Sequence, residues 1–408
     1  MNLRNDTDLT KEGSVTSSFG LLGGLALLVM LGLNLRPLIA SISPLQGAIR
    51  ADTGMSFQAV GLLTTLPFLC MGLVALMSAR LAARLGEGRG VSLGLMLILF
   101  GCLIRIINPS GTALLVTALI GGVGIAIIQT LLPGRIKRDF PGRVPLAMGI
   151  YSASLMSGGG LAAWLSPRIA AQTDSWSLGV GLWFIPAVIA LAGWLWKVAQ
   201  PRGSRSPVAA NRLWRFPRAW VLALYFGIIN AGYSSVIAWL PAYYQQLGWN
   251  TSHSGLLLAW MTIFQVMAAL TMPMLAQRQR GIDRRMLLSV SLLAQLIGYL
   301  GLILLPGPGA LIWIAIAGFG LGACFGLGLI LALDHHPEPH IAGQLAAFMQ
   351  GIGFMINAMS PWVSGALRQA TGNFIAVWIM LALGAAAMMA LTLVFRPSQY
   401  EKLGLEQA

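Results

Sequence analysis

Twelve apolar runs follow one another along this chain, at residues 20–48, 56–80, 90–107, 111–133, 144–168, 177–199, 218–247, 253–277, 286–305, 310–333, 341–367 and 373–395. Most meet or exceed the roughly 20 residues that a helix needs to cross the hydrocarbon core of a bilayer. The polar material between them is too sparse to make a water-facing surface. Only 9% of residues are Asp, Glu, Lys or Arg, against roughly 25% in a soluble domain. A large soluble enzyme, a disordered chain and a fibrous protein are therefore excluded. No run shows the alternating ten-residue pattern of an outer-membrane barrel. The chain reads as an all-α integral membrane protein with twelve transmembrane helices. Its first 18 residues are polar, and the apolar segment after them is too long for a signal-peptide core, so it reads as an uncleaved first span. Cys70, Cys102 and Cys324 sit inside apolar runs and suggest neither a disulfide framework nor a CxxC metal site.

The net charge of +14 would point to nucleic acid in a soluble protein. Here the cations lie between apolar runs and act as topology determinants, so the expected partner is the lipid bilayer and not a nucleic acid. Placing the N-terminus and every even-to-odd connection on one side puts 21 of the 26 Lys and Arg residues there. Arg50, Arg105, Arg168 and Arg368 fall on the other side, and Arg36 lies within the first span. The excess predicts that both termini are cytoplasmic.

The polar segment 200–217 divides the chain into a half at 19–199 and a half at 218–396, flanked by tails at 1–18 and 397–408. Internal similarity supports the division. Asn34 answers to Asn230, Pro44 to Pro241, Gly61-Leu62-Leu63 to Gly255-Leu256-Leu257, Arg84 to Arg278, and Gly122-Val123-Gly124 to Gly320-Leu321-Gly322. The spacings cluster between 194 and 198 residues. Two six-helix pseudo-repeat halves are the organisation of the major facilitator fold, whose substrate site lies near midplane between the halves.

Ionisable groups at that depth are costly and therefore informative. Every acidic residue falls in a tail, a loop or a span end, whereas Arg36, in Leu33-Asn34-Leu35-Arg36-Pro37, lies 16 residues past Gly20. At about 1.5 Å per residue this places it roughly 24 Å along the helix, near mid-bilayer. A lone arginine there costs at least about 2.5 kcal/mol, which a water-lined cavity, a partner or an anion must offset. Gly32, Arg36, Ala40 and Ser43 recur at helical spacing, a stripe of small residues that predicts a cavity wall. Without a carboxylate nearby, the counter-charge suited to a planar guanidinium with five donors is a small transported anion. The structural alternative is an arginine that hydrogen-bonds carbonyls of a neighbouring helix.

Other polar side chains lie at comparable depth. Asn230 and Ser234 share a face of span 7 beside Tyr233; Gln350 and Asn357 share a face of span 11. Tyr151 and Ser154 lie in span 5, Gln129 in span 4, Thr64 and Thr65 in span 2, and Gln265 in span 8. Asn34, Tyr151, Asn230, Tyr233, Gln350 and Asn357 join Arg36 as candidate substrate-binding residues, although interhelical hydrogen bonding is the commoner use of a single buried amide. The glycines at 121, 122 and 124 and at 158–160 predict close helix packing; no strand precedes them and no Walker lysine follows, so they are not a phosphate loop. The segment Asp334-His335-His336-Pro337-Glu338-Pro339-His340 gathers possible metal ligands, but in no recognised zinc spacing, and reads as a solvated connection. No metal and no cofactor are expected.

Two sets of motifs add a resemblance. Ser78–Arg89 resembles the major facilitator signature G-x-L-a-D-R-x-G-R-R, with Arg84, Gly86 and Arg89 in place as gating residues and Ala83 where the usual Asp would stand. The segments Leu33–Leu38, Gly121–Ile125, Ile136-Lys137-Arg138, Asn230–Tyr233, Ala238–Ala242, Leu331–His335 and Ala347–Phe354 are similar to the cyanate porter family, over about residues 25 to 375. The resemblance implies a twelve-helix carrier of the bacterial inner membrane working by alternating access on a small, cyanate-like anion. It implies a monomer and no enzymatic activity. The alternative is an exporter of a neutral or amphiphilic molecule such as a nitroimidazole; a membrane-embedded metal enzyme built on the histidine segment is a remote one.

Overall fold

A computed structural model describes residues 22–77, 81, 84–140, 144–198, 213–278, 283–336 and 339–399. The described residues contain no strand. Span 1 is Leu22–Thr53, span 2 Phe57–Leu76, span 3 Glu87–Ile107, span 4 Gly111–Asp139 and span 5 Val144–Thr173. Span 6 runs as Trp176–Gly181 and then Phe184–Val198. After residues 199–212, span 7 is Pro217–Gln246, span 8 Thr251–Arg278, span 9 Arg285–Leu304, span 10 Ala310–Asp334, span 11 Pro339–Thr371 and span 12 Ile375–Thr392. Eleven of these are long and apolar enough to cross a membrane. Span 5 is also long, at 30 residues, but Ser152, Ser154, Ser157 and Gly158–Gly160 dilute its hydropathy. Large apolar side chains such as Phe100, Ile107, Ile189, Trp196 and Leu383 remain exposed, as expected of a surface that faces lipid.

Small residues set the helix spacing. A methyl group on Gly94 of span 3 would meet the carbonyl of Gly124 in span 4 at 2.7 Å, so the glycines of span 4 are places where two backbones touch.

Span 1 departs from the expected continuous helix. It is helical over 22–33, breaks at Asn34-Leu35-Arg36, resumes as Pro37–Ala40, turns at Ser41 and continues as Ile42–Thr53. Pro37 is the cause. It has no N–H, and its ring excludes the carbonyl four residues earlier, that of Leu33. That carbonyl lies against Gly158 of span 5, where any side chain would collide with it. Gly32 is likewise pressed on Tyr151, Ser154 and Leu155 of span 5, while the Ser43 hydroxyl donates to the carbonyl of Ala238 in span 7 at 2.8 Å. Of the stripe Gly32–Arg36–Ala40–Ser43, Gly32 and Ser43 are therefore packing contacts, and Arg36 alone of the four lines a cavity between the halves.

The two sets of six helices meet chiefly where span 2 packs along span 11 and span 5 along span 8. On the side opposite the 199–212 connection, here the far side, further contacts tie them together. Gln245 donates to the carbonyl of Pro44 at 2.8 Å, and Ser43 to that of Ala238 at 2.8 Å.

Candidate functional site

Near the middle of the seam lies a cavity of about 50 Å³, room for roughly three to five water-sized groups. Both halves line it. Arg36 comes from the break in span 1, Phe68 from span 2, Gln129 from span 4 and Tyr151 from span 5; Asn230 and Tyr233 come from span 7, Gln265 from span 8, Phe325 from span 10, and Phe354 and Asn357 from span 11. No Asp or Glu is among the lining residues.

Arg36 is only 4% exposed. Its guanidinium carbon lies 5.3 Å from the ring centroid of Phe68 and 5.4 Å from that of Tyr233. The two rings meet edge to face at 6.4 Å. Each half thus supplies one aromatic ring to a shared cage, an arrangement that offsets part of the cost of burying the cation. Hydrogen bonding does not offset the rest. Nε and Nη1 of Arg36 are buried without a protein acceptor. Three other buried polar atoms of lining residues have no protein partner, the Tyr151 hydroxyl and Gln265 Nε2 as donors and Gln129 Oε1 as an acceptor. Buried polar groups are ordinarily paired. Here four unsatisfied donors and one acceptor face a single small volume, which makes a donor-rich cradle suited to an anion.

The remaining candidates divide. Tyr151, Asn230, Tyr233 and Asn357 line the cavity with Arg36. Asn230 donates to the carbonyl of Phe226 at 2.7 Å, and the Asn357 side-chain oxygen accepts from Ser234 at 2.6 Å, so both amides are held in place. Asn34 faces elsewhere. Its amide donates to Met30 and, across to span 6, to Pro186 at 3.1 Å. Gln350 is half-buried and not on the lining; seven residues in a helix bring it to the face of Asn357, but two turns away. Gln129 and Gln265 were visible in the sequence as mid-span amides. Phe68 and Phe325 carried no signal, since an aromatic in an apolar run looks like any other core residue.

Arg105, counted among the far-side cations, is fully buried at the end of span 3. Its Nη1 donates to the carbonyl of Leu38 at 2.8 Å and its Nε to the Thr117 hydroxyl at 3.1 Å. The role of a structural arginine that satisfies another helix's carbonyls belongs to Arg105.

On the linker side, Arg84 and Arg89 are exposed. Gly86 adopts φ +66° as the N-cap of span 3, a conformation that favours glycine. Ala83 lies outside the described residues. The corresponding connection of the second half is tied by charge. Arg284 pairs with Asp334 at 2.8 Å and donates to the carbonyl of Ala276, while Arg285 pairs with Asp283 at 2.7 Å and holds that carboxyl below its usual range. Asp334 is therefore engaged. His335, also buried, lies 2.6 Å from the Leu331 carbonyl and accepts from Arg218 at 3.3 Å. Of the other histidine-segment residues, Glu338 and the His340 side chain lie outside the described residues.

This architecture matches the family model of the Major Facilitator Superfamily over residues 22–356. The chain belongs to that superfamily. Among superfamily relatives, it is 45% identical to the cyanate transport protein CynX of Escherichia coli over 386 residues, 94% of this chain and 100% of that protein. It is 30% identical to the 2-nitroimidazole transporter of the same organism, over 90% of this chain and 93% of that protein. The fold superimposes on a solved D-xylose–proton symporter with a TM-score of 0.74 at 16% identity, covering 92% of this chain and 96% of that one. The protein is thus a multi-span membrane transporter of a superfamily built on two six-helix halves.

Proposed function

We propose that this transporter carries a small monovalent anion, cyanate being the best fit, by alternating access around Arg36. The observation that carries the reading is the cradle itself. Nε and Nη1 of Arg36, the Tyr151 hydroxyl and Gln265 Nε2 are donors without protein acceptors, and they line one cavity with no carboxylate on it. A linear triatomic anion fits about 50 Å³ and can take two parallel bonds from a guanidinium fork. The likeness to the cyanate transport protein points the same way.

The protein works as a single chain in the bacterial inner membrane, with both termini cytoplasmic, and performs no chemistry on its cargo. The positive-inside asymmetry of the sequence supports that orientation. Import of an anion into a negative interior costs about 2.3 kcal/mol per charge at 100 mV. A steep inward gradient, consumption inside, exchange, or a proton riding on the substrate would offset it. Uptake of labelled cyanate into proteoliposomes tests the proposal. Wild-type protein takes it up and Arg36→Ala does not; unchanged uptake by that variant removes Arg36 from the mechanism.

The aromatic part of the lining, Phe68, Tyr233, Phe325 and Phe354, favours one second reading, a planar heteroaromatic cargo such as a nitroimidazole. Competition decides between them. Small anions displace labelled cyanate under the first reading, and nitroheterocycles do under the second.

A further inference from the structure

A second concentration of positive charge lies at the far-side mouth, where spans 1 and 2 meet spans 11 and 12. Arg50, in the last turn of span 1, sets its guanidinium carbon 3.6 Å from the centroid of Phe57. Arg368, in the last turn of span 11, sets its own 4.5 Å from the same centroid and 5.2 Å from Phe374. Phe57 packs edge-on against Phe374 at 6.2 Å. One arginine from each half thus shares a single ring, and the two cations repel each other. Nε of Arg50 donates to the carbonyl of Met55 at 3.0 Å, whereas Nε of Arg368 is buried without an acceptor. None of the ion pairs among the described residues includes either arginine. Asp52, the acid nearest Arg50 in sequence, is exposed and accepts from Trp176. Both arginines are partly exposed, so ions in water reach them.

Like charges on opposite halves oppose closure of this mouth, while the bonds from Ser43 to Ala238 and from Gln245 to Pro44 favour it. An anion that takes hydrogen bonds from both guanidiniums turns the repulsion into a bridge. We propose that Arg50 and Arg368 form a second anion site at the far-side mouth, taking a small monovalent inorganic anion, and that the bound ion holds the halves closed there. The site does not depend on which cargo Arg36 binds.

The test uses purified full-length protein in nanodiscs of neutral lipid. Thermal unfolding is followed in sodium bromide, sodium cyanate and sodium gluconate at one ionic strength. Bromide is expected to raise Tm over gluconate by about 2 °C or more. Arg36→Gln keeps that increment. Arg368→Gln loses it and in gluconate is at least as stable as wild type, because the repulsion is gone. If cyanate alone raises Tm and Arg368→Gln abolishes the rise while Arg36→Gln does not, the mouth ion is the transported species. The proposal is overturned if bromide and gluconate give the same Tm in wild type and no Arg368-dependent cyanate shift exists. It is also overturned if Arg36→Gln abolishes every anion-dependent shift, or if Arg368→Gln responds as wild type does. Should Arg368→Gln not fold, the anomalous signal of bromide in wild-type crystals decides: a peak between Arg50 and Arg368 supports the site, and its absence overturns it.

Discussion

Two arginines are buried in the first half of this transporter, and they meet the cost of burial in opposite ways. Arg105 bonds within its own half, Nη1 to the Leu38 carbonyl and Nε to the Thr117 hydroxyl, with only Nη2 left buried without an acceptor. Arg36 stands two residues before Leu38 in sequence and leaves Nε and Nη1 without acceptors at the seam between halves. A buried charge anchored by hydrogen bonds to its own half is part of the scaffold. One without such anchors, on a cavity without carboxylates, is suited to receive a ligand. The second half repeats the scaffold without either charge. Where span 7 meets span 9, Gly232 and Tyr299 stand in contact. The Tyr299 hydroxyl occupies the space beside Gly232 where a side chain would otherwise project. The helix 1–3 contact and the helix 7–9 contact thus reach the same place by different chemistry.

The contrast is most easily broken at the two arginines. Arg36→Ala is expected to lower uptake at least about 100-fold while the protein still purifies as a folded monodisperse species; uptake kinetics with size-exclusion chromatography check both halves of the statement. Arg105→Met should do the reverse. It leaves the Leu38 carbonyl and Thr117 hydroxyl short of a partner at a cost of about 2 kcal/mol or more in stability. The folded fraction that remains should bind substrate with unchanged affinity, which thermal unfolding and ligand titration on the same preparation read out. If Arg105→Met binds weakly and unfolds normally, the division between scaffold and site is wrong.

The repeat-related asparagines sharpen the comparison at smaller scale. Asn34 and Asn230 each donate to the carbonyl four residues back, but only Asn230 lines the cavity. Asn230→Ala is expected to raise KM about fivefold, the worth of roughly 1 kcal/mol, with little change in Tm. Asn34→Ala should lower stability by about 1 kcal/mol and leave KM alone.

A third buried base, His335, meets the same cost by giving up its charge. Burial, with Arg218 adding to it, pulls its pKa from 6.5 down to about 4. The unfolded chain then binds a proton that the folded one does not. The contribution to stability is complete above about pH 6.5 and is lost as pH falls toward about 4. Unfolding between about pH 7.5 and pH 6 should show a loss under about 1 kcal/mol that His335→Gln abolishes.

The all-α fold, its twelve spans and its two halves were legible in the sequence, because length, hydropathy and charge fix them. Three things were not. Pro37 announced a break, but where Arg36 turns after it depends on Gly158 admitting the Leu33 carbonyl, a contact 125 residues away. Arg105 lies near the end of an apolar run and so looked like a loop cation; only packing shows that span 3 buries it against Leu38. Asn34 and Gln350 had the right residue type at plausible depth, but helix rotation sends Asn34 to span 6, and Gln350 lies two turns along the helix from Asn357, off the cavity.

The aromatic cage around Arg36 draws Phe68 from one half and Tyr233 from the other. In the proposed mechanism the guanidinium and Phe68 travel together as the halves rock, while Tyr233 travels with the opposite bundle. The electrostatic environment of the cation is thus geared to the tilt of the molecule, and the strength of the grip changes as the two bundles part. On that reading, capture and release become two ends of one mechanical stroke.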